Sequence, residues 1–291
     1  MRRQPSSIWR KVFGVDQSPV VDFTLAEIPS KAQSLVGKMS ISGVQPKLSV
    51  RLTRKGGVPR LEASGEFGQY ILKPQVQAFI SLPENEEVCM FIAEQLGVKI
   101  PPHCLVSLKD GTLAYVVKRF DRQGRDKIHQ EDFAQILGKR DKYDGSVEEI
   151  GRKLKEVSHV PGLDVQLFFE RVVFSFLLGN GDAHVKNYSI LYDDKGCVRL
   201  APAYDLVCSR LVIPNEDESA LTIAGKKNNL KKQDFDALAG YLGIPEKVRY
   251  DRLAEKRVLM ETMVDQSKLS QNFITSMKKI IGERYQKLGF G

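Results

Sequence analysis

The stretch "GNGDAHVKNYSILY", residues Gly179 to Tyr192, decides how this chain is read. An apolar run, Val172 to Leu178, stops at the first glycine, and alternating strand-like residues begin at Tyr188. A helix therefore ends, a polar loop follows and a strand starts. A plain connector needs only polarity. This one carries an acid at Asp182, a histidine at His184 and a carboxamide at Asn187 within six residues.

Phosphoryl transfer needs those side-chain types. An acceptor hydroxyl must be oriented and must lose its proton to a base, and a divalent cation must bridge the phosphates. Protein kinases use an Asp for the first task and an Asn five positions on for the second. Asp182 and Asn187 have that spacing. A second metal-binding acid normally follows a β-hairpin, and "LAPAYDLVCS" supplies Asp205 just beyond the strands expected at 188–192 and 197–200. Hard oxygen donors from one Asn and one Asp suit Mg²⁺. His184 stands where many kinases place a lysine, and its ring can donate to the same phosphate oxygens. Taken alone, an Asp and an Asn five apart are weak evidence, and a single turn histidine is more often a surface residue. The ordered set of helix end, acid, His, Asn, strand, turn, strand and acid is stronger.

Working outward, residues 47–63 and 69–74 read as strands, with a turn at Lys55–Gly57. "LPENEEVCMFIAEQLGV" reads as a helix with acids in its first turn and Gly97 as its stop. "CLVSL", the turn "KDG" and "TLAYVVKRFD" read as a hairpin. Lys73 closes the strand "QYILKP", where a lysine can grip α- and β-phosphates as a point charge; a solvent-facing lysine is the plain alternative. One of Glu84, Asn85, Glu86 and Glu87 is a candidate partner for it, and a helical wheel puts Glu84 and Asn85 nearer the apolar face without deciding among them. Backbone groups of Lys118 and Phe120 stand where a hinge would meet adenine. "MSISGVQPKL" precedes the first strand and reads either as a lid over phosphates or as a hydroxyl-stabilised turn. Residues 1–38 read as irregular with one short helix.

After Asp121 the spacing turns helical, at 129–138, 146–157, 163–178, 231–242, 245–264 and 268–287. The polar cluster at 129–132 is read as a helix start, with its acids favoured there by the helix dipole. The expected organisation is α+β: a small β-rich lobe over 1–120, a larger helical lobe over 121–291, and a cleft between them.

Bulk properties agree without choosing a function. The 291 residues are 42% hydrophobic, enough for a sizeable core, and the formal net charge is +8. That charge favours acidic partners such as nucleotide phosphates, but no basic block or zinc-finger spacing supports direct nucleic-acid binding. The four cysteines have no CxxC spacing, which fits reduced thiols and a cytoplasmic location. The longest apolar run is too short to cross a bilayer, and "MRRQPSSIWRK" reads as neither signal nor anchor.

Several segments together resemble one family. "SISGVQPKL", "YILKP", "LPENE", "VKRFDR", "HQEDFAQILG", "GNGDAHVKNYSILY" and "LAPAYDLVCS" occur in the order seen in HipA-like serine/threonine kinases, toxins of bacterial toxin–antitoxin modules. The resemblance covers roughly residues 39–240. It implies a two-lobed protein-kinase-like fold that uses ATP and Mg²⁺. Asp182 would be the catalytic Asp, with His184 beside it in the catalytic loop. Asn187 and Asp205 would hold the metal, and Lys73 the ATP phosphates. Ser40 and Ser42 would be lid-loop serines that autophosphorylate and switch the enzyme off. The implied substrate is an aminoacyl-tRNA synthetase, modified on a serine so that translation and growth stop. The lid loop arrives by residue 40, which resembles the short, HipT-like form of three-component systems. Its implied partners are a HipB-like DNA-binding protein and a small HipS-like protein. A small-molecule or lipid kinase, and a non-catalytic co-repressor of the same fold, are the alternative readings.

Overall fold

The structure is a computed structural model that describes residues 6–35, 46–65, 68–124 and 126–290. Ser40, Ser42 and most of the expected lid loop lie outside the described residues. The chain divides into two compact units, Met1–Glu87 with Pro101–Lys127, and Val88–Ile100 with Ile128–Gly291.

The first unit is built on a six-stranded sheet. Its elements are α1 (Ser6–Phe13), β1 (Val20–Val21), α2 (Ile28–Leu35), β2 (Leu48–Lys55), β3 (Val58–Ala63), β4 (Tyr70–Pro74), the start of α3 (Leu82–Gln95), β5 (His103–Ser107) and β6 (Leu113–Lys118). The order across the sheet is β1-β3-β2-β4-β6-β5, antiparallel except for the β1–β3 pair. The N-terminal segment forms one edge of this curled sheet and reaches the β5–β6 turn at the other. Val20 and Val21 pair with β3, while Lys109 N donates to Phe23 O at 3.0 Å and Asp110 Oδ2 accepts from Leu25 N at 2.8 Å.

The concave core holds Leu48, Val50, Leu61, Leu72, Cys104, Val106 and Val116 from the strands, and Val12, Phe13, Val15, Val21, Phe23 and Ile28 from the N-terminal segment. Burying each such large side chain contributes about 1.5–3 kcal/mol. The expectation that residues 1–38 are irregular with one short helix therefore falls short. Ile8, Trp9, Val12 and Phe13 repeat at helical spacing, and the helix exists because that stripe covers the sheet. A small hairpin, β7 (Arg122–Gln123) with β8 (Asp126–Lys127), ends the unit.

The second unit surrounds one apolar helix. It contains β9 (Gln130–Asp132), α4 (Phe133–Ile136), α5 (Val147–Val157), α6 (Pro161–Leu178), β10 (Ser189–Tyr192), β11 (Val198–Leu200), α7 (Lys232–Leu242), α8 (Arg257–Gln266) and α9 (Gln271–Lys287). Helix α6 starts with Pro161 at its first position and buries Phe168, Phe169, Val172, Val173, Phe174, Phe176, Leu177 and Leu178. Helices α5, α7 and α9 pack around it. A helix apolar on all sides belongs at the centre of its domain.

Two expected elements change. Residues 129–138 are not one helix. Gln130–Asp132 add a third strand to the sheet β11-β10-β9, with Ser189 opposite Asp132, and only Phe133–Ile136 are helical. Asp132 caps that helix by accepting from Gln135 N at 2.9 Å, so the acid does serve a helix start. The expected helix over 245–264 breaks into a 3-10 turn at Glu246–Val248 and α8. The Leu253 carbonyl between them accepts from the Tyr285 hydroxyl at 2.8 Å.

Candidate active site

Lys73 lies near the end of β4, directly opposite Tyr115 of β6. Alternation along the strand puts Leu72 in the concave core and turns Lys73 to the other face. There the ammonium donates to Glu86 Oε1 at 2.5 Å and lies 5.6 Å from the Tyr115 ring centre. Both charged side chains are buried, with 5% and 2% of their surface exposed. Among the four acidic and amide residues at the start of α3, the partner is Glu86. The wheel that favoured Glu84 with Asn85 was half right: Asn85 and Glu86 are 1% exposed, whereas Glu84 is only partly buried.

In the second unit, α6 ends where Gly179 takes a left-handed conformation (φ 74°) and Asn180 N donates back to Ser175 O at 2.9 Å. A β-carbon at Gly179 would lie 2.6 Å from Ile280 Cγ2, so geometry and packing both call for glycine. The chain then turns tightly. Asn180 Oδ1 accepts from Asp182 N at 3.2 Å, and His184 N donates to Asp182 O at 2.8 Å. Residues Val185–Asn187 make one 3-10 turn. Asn187 Oδ1 accepts from His184 N at 2.9 Å, which leaves the amide oxygen a second lone pair.

Asp182 keeps 42% of its side-chain surface exposed. Its Oδ1 accepts from the Tyr143 hydroxyl at 2.8 Å, and Lys142 Nζ is 3.8 Å away. Neither residue stood out in the sequence, because nothing in "DKYDG" signals a contact 39 residues later. The two loops are also tied by Val185 N donating to Lys142 O at 3.3 Å. His184 is buried beneath this surface, its ring edge-on to Tyr143 at 5.7 Å. Among the described residues its Nδ1 has no hydrogen-bond partner. Burial lowers its pKa below the ordinary value; the Asp182 and Asp205 carboxylates oppose that and Lys142 adds to it. The imidazole is therefore neutral near pH 7.

Asp205 acts on the same imidazole through the charge of its carboxylate, as Asp182 does. It adopts φ 54°, an uncommon conformation for a residue with a β-carbon and one found disproportionately at functional sites. Its neighbour Tyr204 donates to Lys186 O at 2.9 Å, fastening this loop to the one that bears Asp182 and Asn187. Asp182, Asn187 and Asp205 thus present hard oxygen donors within one unit. Mg²⁺ is usually held by one or two carboxylates, with phosphates and water completing its shell, so this donor set fits it. Among the described residues no group of three or more His, Cys, Asp or Glu comes together to make a protein-only metal cage.

Lys118 ends β6 and Phe120 follows it. The Lys118 N–H donates to Pro102 O at 2.8 Å, so a purine contact here would use other backbone groups. Arg119 and Arg122 both pair with Asp121 and fix the path of the segment.

The HipA-like C-terminal domain family matches residues 39–267. The chain belongs to that family. It is 37% identical over 235 residues to Y4dM of Sinorhizobium fredii, a protein with a kinase name, which covers 75% of this chain and 57% of that one. It is 27% identical over 242 residues to the serine/threonine-protein kinase toxin HipA of Shewanella oneidensis, covering 74% and 54%. The chain spans little more than half the length of these two relatives. The Shewanella oneidensis HipA, solved with HipB and its operator DNA, superposes with a TM-score of 0.71 at 21% identity, over 94% of this chain and 73% of that one. The Helicobacter pylori proinflammatory kinase CtkA gives 0.53 at 16% identity, over 82% and 90%. The α+β fold is therefore HipA-like and kinase-like. Among the described residues no helix is long and apolar enough to cross a membrane.

Proposed function

We propose that this chain is an ATP-dependent serine/threonine protein kinase and the toxin of a bacterial toxin–antitoxin module. The observation that carries the reading is the buried Lys73–Glu86 pair. Protein kinases use a strand lysine paired to a helix glutamate to hold ATP phosphates. Burying two charges is costly unless they pair well, and a fold that needed only stability would do as well with apolar residues there. The kinase names of the relatives support the same reading.

In this reading the small lobe is 1–120 and the helical lobe 121–291, and each site residue has one task. Lys73 steadies the α- and β-phosphates, and backbone groups around Lys118 and Phe120 receive adenine. Asp182 orients the acceptor hydroxyl and takes its proton as the oxygen bonds to the γ-phosphorus. The bond from that phosphorus to the β–γ bridging oxygen breaks, and ADP leaves. The neutral His184 donates a hydrogen bond to phosphate oxygen. Asn187 and Asp205 would hold Mg²⁺, which neutralises phosphate charge when bound. Ser40 and Ser42 are the autophosphorylation sites, where added negative charge repels ATP. The acceptor is a serine of an aminoacyl-tRNA synthetase in the cytoplasm. The partners are a HipB-like DNA-binding protein, as in the Shewanella oneidensis complex, and a HipS-like small protein.

The test is transfer of labelled γ-phosphate from ATP, with and without Mg²⁺, by the wild type and by Asp182→Asn, followed by phosphopeptide mapping of treated lysate. Mg²⁺-dependent label on serine in the wild type, lost in the variant, is expected. Label confined to a metabolite, or equal in both proteins, would sink the reading.

A further inference from the structure

Residues 209–217 have no part in the functions above, yet they close around the turn that carries Asp182. Ser209, 4% exposed, accepts from Gly181 N at 2.8 Å through its hydroxyl oxygen and donates the hydroxyl proton to Glu216 Oε1 at 2.6 Å. Arg210 N donates to Gly179 O at 3.1 Å, and the Arg210 guanidinium donates to Glu216 O at 2.9 Å. A β-carbon at Gly181 would lie 2.3 Å from Asp217 O and 2.6 Å from Glu216 Cδ. Glycine is needed there because residues 216 and 217 press on that backbone. Both glycines flanking Asn180 are therefore gripped by one segment, immediately before the candidate base.

We propose that Glu216 is a positioning residue, which sets the place of Asp182 through the Ser209 hydroxyl and the Gly181 amide. The proposal rests on the reading of Asp182 as the base. A hydroxyl can donate only one proton. With that proton held by Glu216, the Ser209 oxygen is left with its lone pairs free, and it turns one of them on the Gly181 N–H. Without the carboxyl, the hydroxyl keeps only the distant Gly179 carbonyl, at 3.5 Å, as an acceptor, and the turn loses its firm brace. An exposed acid whose carboxylate must stay in place gains most from such bracing, since its own side chain is not locked by packing.

The local electrostatics agree. Burial, with a smaller push from Asp182, brings the Glu216 carboxyl up to about 7 against the bonds from Ser209 and Gly181 and the nearby Arg210. The group is an acceptor in either protonation state, because a neutral carboxyl keeps its carbonyl oxygen. The conservative variant Glu216→Gln keeps an acceptor oxygen and removes the charge, so it separates bonding from charge.

The experiment uses the whole chain as wild type, Glu216→Ala, Glu216→Gln, Ser209→Ala and Asp182→Asn. One readout is the rate of γ-phosphate transfer from ATP with Mg²⁺, using casein as the probe acceptor and counting label on the chain itself as well. The other is hydrogen exchange at the Gly181 amide, which needs no activity. For Glu216→Ala a loss of about tenfold or more in kcat is expected, with the KM for ATP within about twofold, since a small misplacement of a catalytic group acts on the chemical step. Gly181 should exchange about tenfold faster in Glu216→Ala and in Ser209→Ala, and Glu216→Gln should restore both readouts to within about threefold. Wild-type kcat and wild-type exchange in Glu216→Ala would overturn the proposal. So would Gly181 exchange in Glu216→Gln as fast as in Glu216→Ala. If the wild type transfers no phosphate, the kinase reading fails instead, and the exchange at Gly181 alone decides whether Glu216 braces the turn.

Discussion

The Lys73–Glu86 pair and the Asp182 loop hold charged groups in opposite ways. The pair leaves 5% and 2% of its side-chain surface exposed, whereas Asp182 keeps 42%. Lys73 is fixed by a strand, a helix carboxylate and an aromatic ring. Asp182 is fixed by the backbone bonds of a turn and one tyrosine hydroxyl. In the proposed reading, chemistry and stability rest on the same atoms in the first region. In the second, they are separable, because an exposed carboxylate contributes little to folding. Substitutions should therefore divide the two regions by what they damage.

The largest effect is expected from Asp182→Asn. Phosphate transfer should fall by about 10²–10⁴-fold, the usual contribution of a general base. The thermal midpoint should stay within a degree or two of the wild type, because surface changes usually alter stability by less than about 0.5 kcal/mol. A large fall in the midpoint would erase the distinction between the regions.

Glu86→Ala should do the reverse in kind, costing about 3–5 kcal/mol of stability by leaving the Lys73 ammonium buried and uncompensated. Removing both charges in Lys73→Met with Glu86→Leu should recover most of that stability, because a packed apolar pair is often as stable as a buried ion pair. Phosphate transfer should remain absent in the double variant. Urea midpoints for the three proteins, read beside transfer rates, check this. A double variant as unstable as Glu86→Ala would mean that the pair itself holds the fold together.

The same burial rule applies to His103 in the first unit. It is 4% exposed, packs 5.6 Å from the Tyr115 ring, and burial lowers its pKa to about 3. The unfolded chain takes up the proton near 6.5, before the folded one does. Its contribution to stability is therefore complete above about 6.5 and is lost as pH falls from there towards 3. The loss by pH 5 comes to about 2 kcal/mol. His103→Phe should flatten the acid side of the stability curve by about that amount, measured by urea unfolding at pH 7.5 and pH 5. An unchanged slope would mean that His103 is not held neutral by its surroundings.

How much of this was legible beforehand follows the same division. The strand ending in Lys73, and the order of helix end, Asp182, His184, Asn187, strand, strand and Asp205, were readable because period and spacing are local. The strand at Gln130–Asp132 was not, because it forms only when Ser189–Leu191 offers an edge about 60 residues later. Glu86 was one of four candidates because a wheel ranks faces, and it cannot tell which acid meets a cation on a strand. Tyr143 and Glu216 carried no signal at all. Their roles exist only through contacts made across the fold to Asp182 and, by way of Ser209, to Gly181.

The smallest expected effect belongs to Tyr143, and it sharpens the comparison most. Its hydroxyl donates to Asp182 Oδ1 at 2.8 Å on an exposed surface, where one neutral donor contributes about 0.5–1.5 kcal/mol. Tyr143→Phe keeps the ring against His184 and removes the hydroxyl that meets both Asp182 and Lys142. With the carboxylate freer to rotate, kcat should fall by about two- to tenfold. The thermal midpoint should fall by no more than about 2–4 °C, the shift that roughly 1 kcal/mol makes in a large domain. The direction of the change matters more than its size. Oδ1 is also an oxygen that an acceptor hydroxyl would approach, so Tyr143 could stand in the acceptor's place rather than brace the base. In that case the variant would be faster, and the KM for the acceptor would fall. A slower Tyr143→Phe with an unchanged acceptor KM places Tyr143 among the groups that hold Asp182.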